Sequence, residues 1–332
     1  MSPMAEPIFR TQPAPAVPAR GVASLQPAVR ARGKWWKLRT RSAPYLFLLP
    51  YFIIVAAFFL YPLAYATRLA FYYTVGPKSQ IYVGFDNFKF ILLDHDFHVA
   101  LWNTLLFCVF SLFVQLPLSL GLAMLLNAKN DKTKSFFRLA IFSPNLVGQV
   151  FVGILFGVLF TPQYGLFNQL IQKLTGWGLQ ERWLSNPQLV MPAIIIAAMW
   201  LYVGFNMIYF LAALQNVDQN LIDAARIDGA GPFGIFINVT IPAITPVATF
   251  VVVMSTIGSF QLFELPFNLL QQGGSSGYGP KLSGLTVVGY LYREGYDAGN
   301  LGIAAAVGWL LTLIILMISV VQIKLSGTTR SD

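Results

Sequence analysis

"LIDAARIDGAGPFGIFINVTIPAITP", residues 221–246, places two acids, an arginine, small residues and prolines between long apolar segments of the chain. Of the 332 residues, 56% are hydrophobic and only 11% are charged, and the mean hydropathy is +0.63. A water-soluble core does not need this much apolar residue, whereas long uncharged runs suit a lipid bilayer. The chain is therefore expected to be a membrane protein, with the quoted stretch as a polar element between two spans.

Six stretches are long and apolar enough to cross a bilayer as helices, which takes about 20 residues. Backbone groups inside the hydrocarbon must be bonded internally, so the expected fold class is an all-α polytopic membrane protein with six transmembrane helices. Prolines within or beside these spans leave carbonyls that neighbouring helices or water are expected to satisfy. The predicted spans are Tyr45–Leu69, Leu101–Leu126, Leu139–Phe160, Leu189–Leu214, Ile241–Phe263 and Leu301–Ile323.

The basic residues predict the orientation, because cytoplasmic loops of membrane proteins carry an excess of Lys and Arg. With a cytoplasmic amino terminus, fifteen of the 22 basic residues lie inside and seven outside. Eight of the fifteen precede the first span, in a proline-rich segment that we interpret as a disordered basic tail, residues 1–44. A lipid-facing tail that sets the topology is favoured over a nucleic-acid arm. Both termini, including the tail 326–332, and the connection 215–240 are then expected in the cytoplasm.

Several kinds of chemistry are not predicted for this chain. Cys108 is the single cysteine and cannot form an internal disulfide, and His95 and His98 lack a third metal ligand. The nearest match to a phosphate-binding loop is Gly273–Lys281, where a proline replaces an N–H donor and a leucine stands where Ser or Thr is needed. We therefore expect no metal site, no cofactor and no enzymatic activity on this chain itself.

The quoted stretch carries the signals of a helix, a sharp turn and a second short helix that leads into the next span. Asn216 or Asp218 can cap the first helix, which is expected to run to about Asp228. Gly229 suits the left-handed position after a helix, and Pro232 suits the first turn of the next one.

The first of these helices has the composition of a docking surface. Leu221, Ile222 and Ala225 share one face, and the neighbouring alanines remove bulk from it. The hypothesis is a helix that presses against a partner on the cytoplasmic side. The alternative is a helical hairpin that lies on the membrane surface.

The segment Asp223-Ala224-Ala225-x-x-Asp228-Gly229-Ala230, followed by Phe236, Pro242 and Pro246, resembles the EAA loop of ABC importer permeases. The family pattern is E-A-A-x-x-D-G-A, five residues, F, five residues, P, three residues, P, and every spacing agrees. Two positions depart from it, because Asp223 replaces the glutamate and Asp218 replaces a proline five residues upstream. Four more stretches resemble the carbohydrate branch, the maltose-type and glycerol-phosphate-type permeases: Leu46–Pro50, "VGFDNFKFI" (83–91), "NTLLF" (103–107) and "LGIAAAVGWLL" (301–311).

This resemblance implies the fold of the type I (MetI-like) importer permeases, in a domain spanning 45–325 with its core at about 100–323. It implies a multi-pass protein of a prokaryotic inner membrane that works with a second homologous permease, two copies of a cytoplasmic ATPase carrying ATP and Mg²⁺, and an external solute-binding protein. The expected cargo is a di- or oligosaccharide. The alternatives are a glycerol-phosphate-type substrate, or a self-sufficient carrier or channel with a regulatory loop. The ATPase-coupling residues would be Asp223, Ala224, Ala225, Asp228, Gly229, Ala230, Phe236 and Pro242.

The fourth and fifth spans hold the polar side chains that suit a sugar pathway. Positions 202, 206 and 209 share one helical face, because they are spaced i, i+4 and i+7. Aromatic rings can stack on the apolar faces of a sugar, and amides and hydroxyls can bond its hydroxyl groups. Hydrogen bonding between helices is the alternative for the amides. The candidate pathway residues are Tyr202, Asn206, Tyr209, Ser259, Gln261 and Glu264.

Overall fold

The structure, a computed structural model, describes residue 45 and residues 47–75, 79–127, 132–176, 182–274 and 276–326. The predicted disordered tail, residues 1–44, and almost all of the short carboxy-terminal tail lie outside these ranges. The chain divides into two compact units, residues 1–60 and 61–332. The described part of the first unit is one helical segment.

Fourteen elements are defined within the described ranges. They are α1 Phe47–Leu69, β1 Tyr72–Val75, β2 Ser79–Tyr82, α2 Asp86–Leu93, α3 His95–Leu125, α4 Lys132–Phe142, α5 Gln149–Leu159, α6 Leu166–Thr175, α7 Pro187–Gln215, α8 Gln219–Ile227, α9 Pro232–Phe260, α10 Glu264–Gln271, α11 Val287–Tyr292 and α12 Leu301–Leu325. Five of them, namely α1, α3, α7, α9 and α12, are long and apolar enough to cross a membrane. Because successive spans alternate in direction, α8 lies at one end of the bundle, which we call the loop side. The connection that contains α10 and α11 lies at the other end, the far side.

The third predicted span is not one straight helix. Helix α4 ends in a 3₁₀ turn at Ser143–Leu146, and α5 follows after a bend of 98°. Pro144 has no N–H with which to continue the helix. Helix α5 alone has 11 residues, about 16 Å at 1.5 Å per residue, which is too short to cross the hydrocarbon. The expected six spans are therefore five single helices and this bent pair.

Three of the long helices contain a π-helical turn two residues before a proline. These turns are Ala56–Leu60, Ser111–Gln115 and Phe236–Thr240, and the prolines are 62, 117 and 242. In α3 the N–H of Leu116 donates to the carbonyl of Ser111, and in α9 the N–H of Ile241 donates to that of Phe236. The wider turn accommodates the proline through backbone bonds within the same helix, so α3 and α9 stay continuous there without needing a neighbouring helix.

The fifth predicted span differs at both of its ends. The short helix expected to begin at Pro232 does not stop before the span, because α9 runs without a break from Pro232 to Phe260. At the far side α9 ends earlier than predicted. Gln261 only caps it, and Glu264 starts the separate helix α10.

The apolar core of the second unit forms three clusters. One joins α5, α7 and α10, one joins the first half of α3 to α11 and α12, and one joins the end of α3 to α7 and α9. Helix α5 packs closely on α10, because a Cβ at Gly153 would lie 3.0 Å from the backbone N of Leu269. The pair Gly153 and Gly157, spaced like a helix-dimer motif, thus serves packing within the chain.

A small β-hairpin departs from the all-α expectation. Strands β1 and β2 pair antiparallel, with Tyr72 opposite Tyr82, in the connection between α1 and α2. The aromatic and β-branched residues of "YYTV" favour a strand over a loop. The buried carboxamide of Asn87 donates to the carbonyls of Ala70 at 2.9 Å and Tyr72 at 3.0 Å, and Thr74 Oγ1 accepts from the N–H of Gly302 at 3.1 Å. The hairpin thereby ties α2 and the start of α12 together.

Gly204 is predicted to be required for the contact between α7 and the bent pair. A Cβ at this position would collide with the carbonyl of Ile141, whereas a Cβ at Gly121 meets no atom within 4 Å. Gly204→Ala is expected to destabilise the protein by about 1–3 kcal/mol through overpacking. Gly121→Ala is the matched control and is expected to keep or raise stability. Thermal unfolding in detergent measures both, and equal melting temperatures would contradict the close packing.

Candidate coupling helix and membrane cavity

Helix α8 forms within the quoted stretch, and its caps settle which residue begins it. Asp218 is the N-cap, with its carboxylate accepting from the N–H of Asn220 at 2.9 Å. Asn216 instead ends α7 and donates its amide to the carbonyl of Ala212 at 2.9 Å. The sequence left both open, and the structure selects Asp218.

The turn after α8 is a Schellman motif, which fixes the angle at which the chain leaves the helix. The N–H of Ala230 donates to the carbonyl of Ala225 at 2.9 Å, and the N–H of Gly229 donates to that of Arg226 at 3.1 Å. Gly229 has φ +84°, the left-handed conformation that its place after the helix predicts. Pro232 occupies the first turn of α9, as expected.

Helix α8 and the start of α9 present exposed apolar side chains. No residue of α8 is buried, and Ile227 and Phe233 are 86% and 75% exposed. Asp223 accepts from Arg226 at 3.1 Å and from the amide of Gln219 at 3.1 Å, both on its own helix. Such an exposed ion pair contributes at most about 1 kcal/mol to stability, so Asp223 can exchange partners at little cost.

The predicted coupling residues divide between two continuous elements. Asp223, Ala224 and Ala225 lie on α8, and Asp228, Gly229 and Ala230 form the turn. Phe236 and Pro242 lie on α9 itself, at the start of its π turn and just after its end. The coupling loop therefore continues directly into a membrane span. The role of these residues in coupling stays a prediction.

A cavity of about 180 Å³ lies between α3, α7 and α9. Four of the six predicted pathway residues line it: Tyr202, Asn206 and Tyr209 from α7, and Ser259 from α9. Gln261 and Glu264 do not, because α9 ends at Phe260 and the chain turns there into α10. The structure therefore places these two candidate pathway residues outside the cavity, and a role for any of the six in the pathway stays a prediction.

Sequence reasoning missed the contribution of α3 to this cavity. Ser111 and Gln115 line it, and they are 4% and 3% exposed. They stand at the first and last positions of the π turn in α3. A signal was present, since Gln115 and Asn103 are the only carboxamides in that span, and Asn103 donates to the carbonyls of Leu282 and Leu285.

The cavity wall combines aromatic rings, carboxamides and hydroxyls, and no ionisable carboxylate, amine or guanidinium lines it among the described residues. The ring centroids of Phe205 and Tyr209 are 5.1 Å apart, and those of Tyr209 and Phe250 are 5.7 Å apart. Such a wall can stack on apolar ring faces and bond neutral hydroxyl groups. It offers no charge to an anionic group.

Charges are concentrated instead on the far side, where α3 meets α11. Tyr290 donates to Asp94 at 2.6 Å, and Arg293 pairs with Asp96 at 2.9 Å. Burial and the bond to Asp94 raise the pKa of Tyr290. Burial alone would lower the pKa of Arg293, but the hydrogen bond and charge of Asp96 and the charge of Glu294 outweigh it and raise that pKa. These contacts fasten α11 and the residue after it to the start of α3.

The spans, the capped helix between two of them and the central cavity define the class of a polytopic membrane permease. Residues 115–325 match the model of the family described as binding-protein-dependent transport system inner membrane component, and the chain belongs to this family. It is therefore a multi-pass inner-membrane transport subunit. The assignment to the ABC importer permeases, made from the EAA-like motif, is confirmed.

Characterised relatives align with nearly the whole chain. The arabinooligosaccharides transport system permease protein AraP of Bacillus subtilis (strain 168) is 36% identical over 293 residues, covering 88% of this chain and 91% of that protein. The lactose transport system permease protein LacF of Rhizobium radiobacter is 33% identical and covers 84% and 92%. The sn-glycerol-3-phosphate transport system permease protein UgpA of Yersinia pestis is 31% identical and covers 85% and 92%.

A solved structure has the same fold. A chain from the crystal structure of a bacterial ABC transporter involved in the import of the acidic polysaccharide alginate aligns with a TM-score of 0.76, covering 90% of this chain and 100% of that one, at 24% identity. This agrees with the expected type I permease fold.

The left-handed turn predicts a test of the coupling helix. Gly229→Val should uncouple ATP hydrolysis from transport while the chain stays in the membrane, because a β-branched residue is strained at positive φ. Space is not the limit, since a Cβ at Gly229 meets no atom within 4 Å.

Gly231, two residues further on, is the matched control. It also has open space for a Cβ, but its φ of −72° suits any residue, so Gly231→Val is expected to stay coupled. Transport per ATP hydrolysed, measured in vesicles with the ATPase subunits, compares the two variants. Normal coupling in Gly229→Val would rule out this turn as a rigid part of the linkage.

Proposed function

We propose that this chain is the permease subunit of an ATP-driven importer that carries a neutral di- or oligosaccharide across the cytoplasmic membrane by alternating access. The single observation that carries the proposal is the cavity, which has an uncharged wall of rings, amides and hydroxyls. Its residues 250–259 lie on the same helix that begins at the Schellman turn. Movement of the docking helix can thus reach the cavity wall through one element.

The family supports the kind of partners, because its members depend on a binding protein. In the proposed complex this chain pairs with a second, homologous permease, and two cytoplasmic ATPase subunits bind the ATP and Mg²⁺. An extracytoplasmic protein delivers the sugar to the far side. Both termini and α8 are placed in the cytoplasm, since the excess of Lys and Arg lies with them.

Similar permeases differ in cargo, and the cavity distinguishes among them. The relatives AraP and LacF are named for an arabinooligosaccharide and for lactose, and UgpA for sn-glycerol-3-phosphate. A phosphate group would require Lys, Arg or a comparable donor set in the pathway, and no Lys or Arg lines the cavity among the described residues. A neutral saccharide is therefore favoured over glycerol phosphate.

The competing hypothesis is a self-sufficient carrier driven by an ion gradient. Proton-coupled carriers commonly hold an acid at membrane depth, and the sequences of α7 and α9 contain no Asp or Glu. We therefore propose that the energy for transport comes from a partner and reaches these helices through α8.

Reconstitution tests the proposed function. Vesicles that contain this chain alone are expected to show no uptake of lactose or arabinobiose, with or without an ion gradient. Vesicles with the second permease, the ATPase subunits and the binding protein are expected to take up one of these sugars only when ATP is present. Ion-driven uptake by the chain alone would support the carrier hypothesis instead.

The docking role of α8 predicts a selective effect of Asp223→Ala. The variant should weaken association with the ATPase, because it removes the acid that would pair with a basic residue of the partner. Stability should change by at most about 0.5 kcal/mol, since the internal pair with Arg226 is exposed.

Asp86 offers a matched control on a different part of the chain. It forms an i,i+3 pair with Lys89 at 3.4 Å that is more exposed than the pair of Asp223 with Arg226, and it lies outside the coupling loop. Asp86→Ala should leave ATPase association unchanged, as measured by co-purification in mild detergent. If both variants associate like the wild type, Asp223 is not part of the docking surface.

A further inference from the structure

Three polar side chains in the cavity wall are buried without a hydrogen-bond partner in the described chain. Ser111, Gln115 and Asn206 are 4%, 3% and 7% exposed, and neither the hydroxyl nor the two carboxamides bond to any described residue. Buried polar groups are nearly always bonded in proteins, because an unmade bond is costly. Three such groups at one cavity therefore indicate that something outside the chain completes them.

These groups face the cavity and are not sealed in the protein interior. Among the described residues, three side-chain atoms are fully buried and have no hydrogen-bond partner: Ser283 Oγ, Ser319 Oγ and Gln322 Oε1. None of these three residues lines the cavity. The amides of Gln115 and Asn206 can thus be reached from the cavity space. Water or a ligand hydroxyl can occupy that space and bond them.

Gln115 could instead serve to hold α3 against α7, but Ser119 already makes that connection. One turn further along α3, Ser119 Oγ lies 2.9 Å from the carbonyl of Gln115 and 3.0 Å from that of Val203 on α7. A glutamine that does join two spans is seen elsewhere, where Gln322 on α12 donates to Thr256 on α9 at 2.7 Å. Gln115 makes no such bond.

Ser111 and Gln115 stand at the two ends of the π turn of α3. They are four residues apart and lie on one face of the helix, as positions i and i+4 of an ordinary helix also do. π turns of this kind occur frequently at functional sites. Pro117 follows the turn in α3. The residues at the two ends of the turn, Ser111 and Gln115, both line the cavity.

We propose that Ser111 and Gln115 on the π turn of α3, together with Asn206 on α7, bind the hydroxyl groups of one uncharged sugar ring, and that Gln115 determines specificity. The inference deepens the proposed function and rests on it. The rings of Tyr202 and Tyr209 lie on the helix that carries Asn206 and offer the stacking surface. Side chains that both donate to and accept from sugar hydroxyls discriminate against a ring that lacks the matching hydroxyl, because the amide is then left unbonded.

The test uses the complete importer in vesicles and compares ATP-driven uptake of lactose or arabinobiose, whichever the wild type carries, with uptake of its monodeoxy derivatives. Gln115→Leu is expected to lower uptake of the parent sugar about 10-fold at subsaturating concentration. One monodeoxy derivative, lacking the hydroxyl that Gln115 binds, should be carried poorly by the wild type and no worse by Gln115→Leu. Gln322→Leu is the matched control, since Gln322 lies off the cavity, and it should keep the wild-type preference.

A packing role would give a different pattern. The inference is wrong if Gln115→Leu lowers the uptake of the parent sugar and of every monodeoxy derivative by the same factor. It is also wrong if the variant transports the parent sugar like the wild type. Binding-protein-stimulated ATP hydrolysis reports that the variant complex is assembled. If Gln115→Leu fails to assemble, Gln115→Asn keeps the carboxamide one methylene shorter, and an unchanged preference between parent and derivative would overturn the inference.

The same experiment can reject the proposed function and the role of Gln115 independently of each other. A wild-type complex that carries neither sugar with ATP would reject the neutral-saccharide proposal before any variant is compared. A wild-type complex that carries one of them, with Gln115→Leu indistinguishable from it, would reject only the role of Gln115.

Discussion

A proline inside a membrane span leaves a backbone carbonyl without its helical partner, where there is no bulk water to replace it. In this protein the three π turns meet that constraint within the helix. Pro246 has no such turn directly before it, but the carbonyl it would leave unbonded belongs to Pro242, one turn back and close to the start of the predicted span. Local widening of the helix keeps α3 and α9 continuous where a break would otherwise divide them.

That continuity matters most in α9. One end of this helix follows the Schellman turn at Gly229, and its other half forms a wall of the cavity. A loop or a flexible joint between them would absorb any displacement of α8 before it reached the cavity. A helix that stays bonded through Pro242 can instead transmit a rigid-body movement, as hinge and lever transitions require. In the proposed mechanism, the fixed exit angle of the capped helix and the unbroken helix after it are two parts of one linkage.

Hydropathy was sufficient to predict the spans that are single helices, because about 20 apolar residues in a row have few alternatives to crossing a bilayer. The coupling turn could also be predicted, since Gly229 and Pro232 are local signals whose effect does not depend on distant residues. The bend between α4 and α5 could not be predicted, because a proline such as Pro144 is compatible with both a kinked helix and a helix that ends. The direction that the chain takes there depends on close contacts such as that between Gly204 and Ile141.

The site was predictable where polar residues share one face of a predicted span. Tyr202, Asn206 and Tyr209 share a face by ordinary helical spacing, and the cavity contains all three. Gln261 and Glu264 lie outside the cavity because α9 ends at Phe260 and the chain turns into α10 there, and no strong stop signal in the sequence marks that end. Ser111 and Gln115 are four residues apart and share a face of α3 by the same spacing, but the sequence does not show that this face meets α7 and α9 around a cavity. Periodicity thus predicts which side chains share a face, whereas the packing of several helices around one cavity has to be seen in the structure.

The distribution of charge bears on how the cavity could be driven. Ionised side chains cluster at α8 on the loop side and around Arg293 on the far side, while no acidic or basic side chain of the described residues lines the cavity between them. The lining therefore supplies no carboxylate or amine that could carry a proton. Of the helices that form the cavity, α9 also extends to the exposed surface next to α8. The absence of charge that favours a neutral sugar thus agrees with the proposal that the driving force arrives through displacement of the helices.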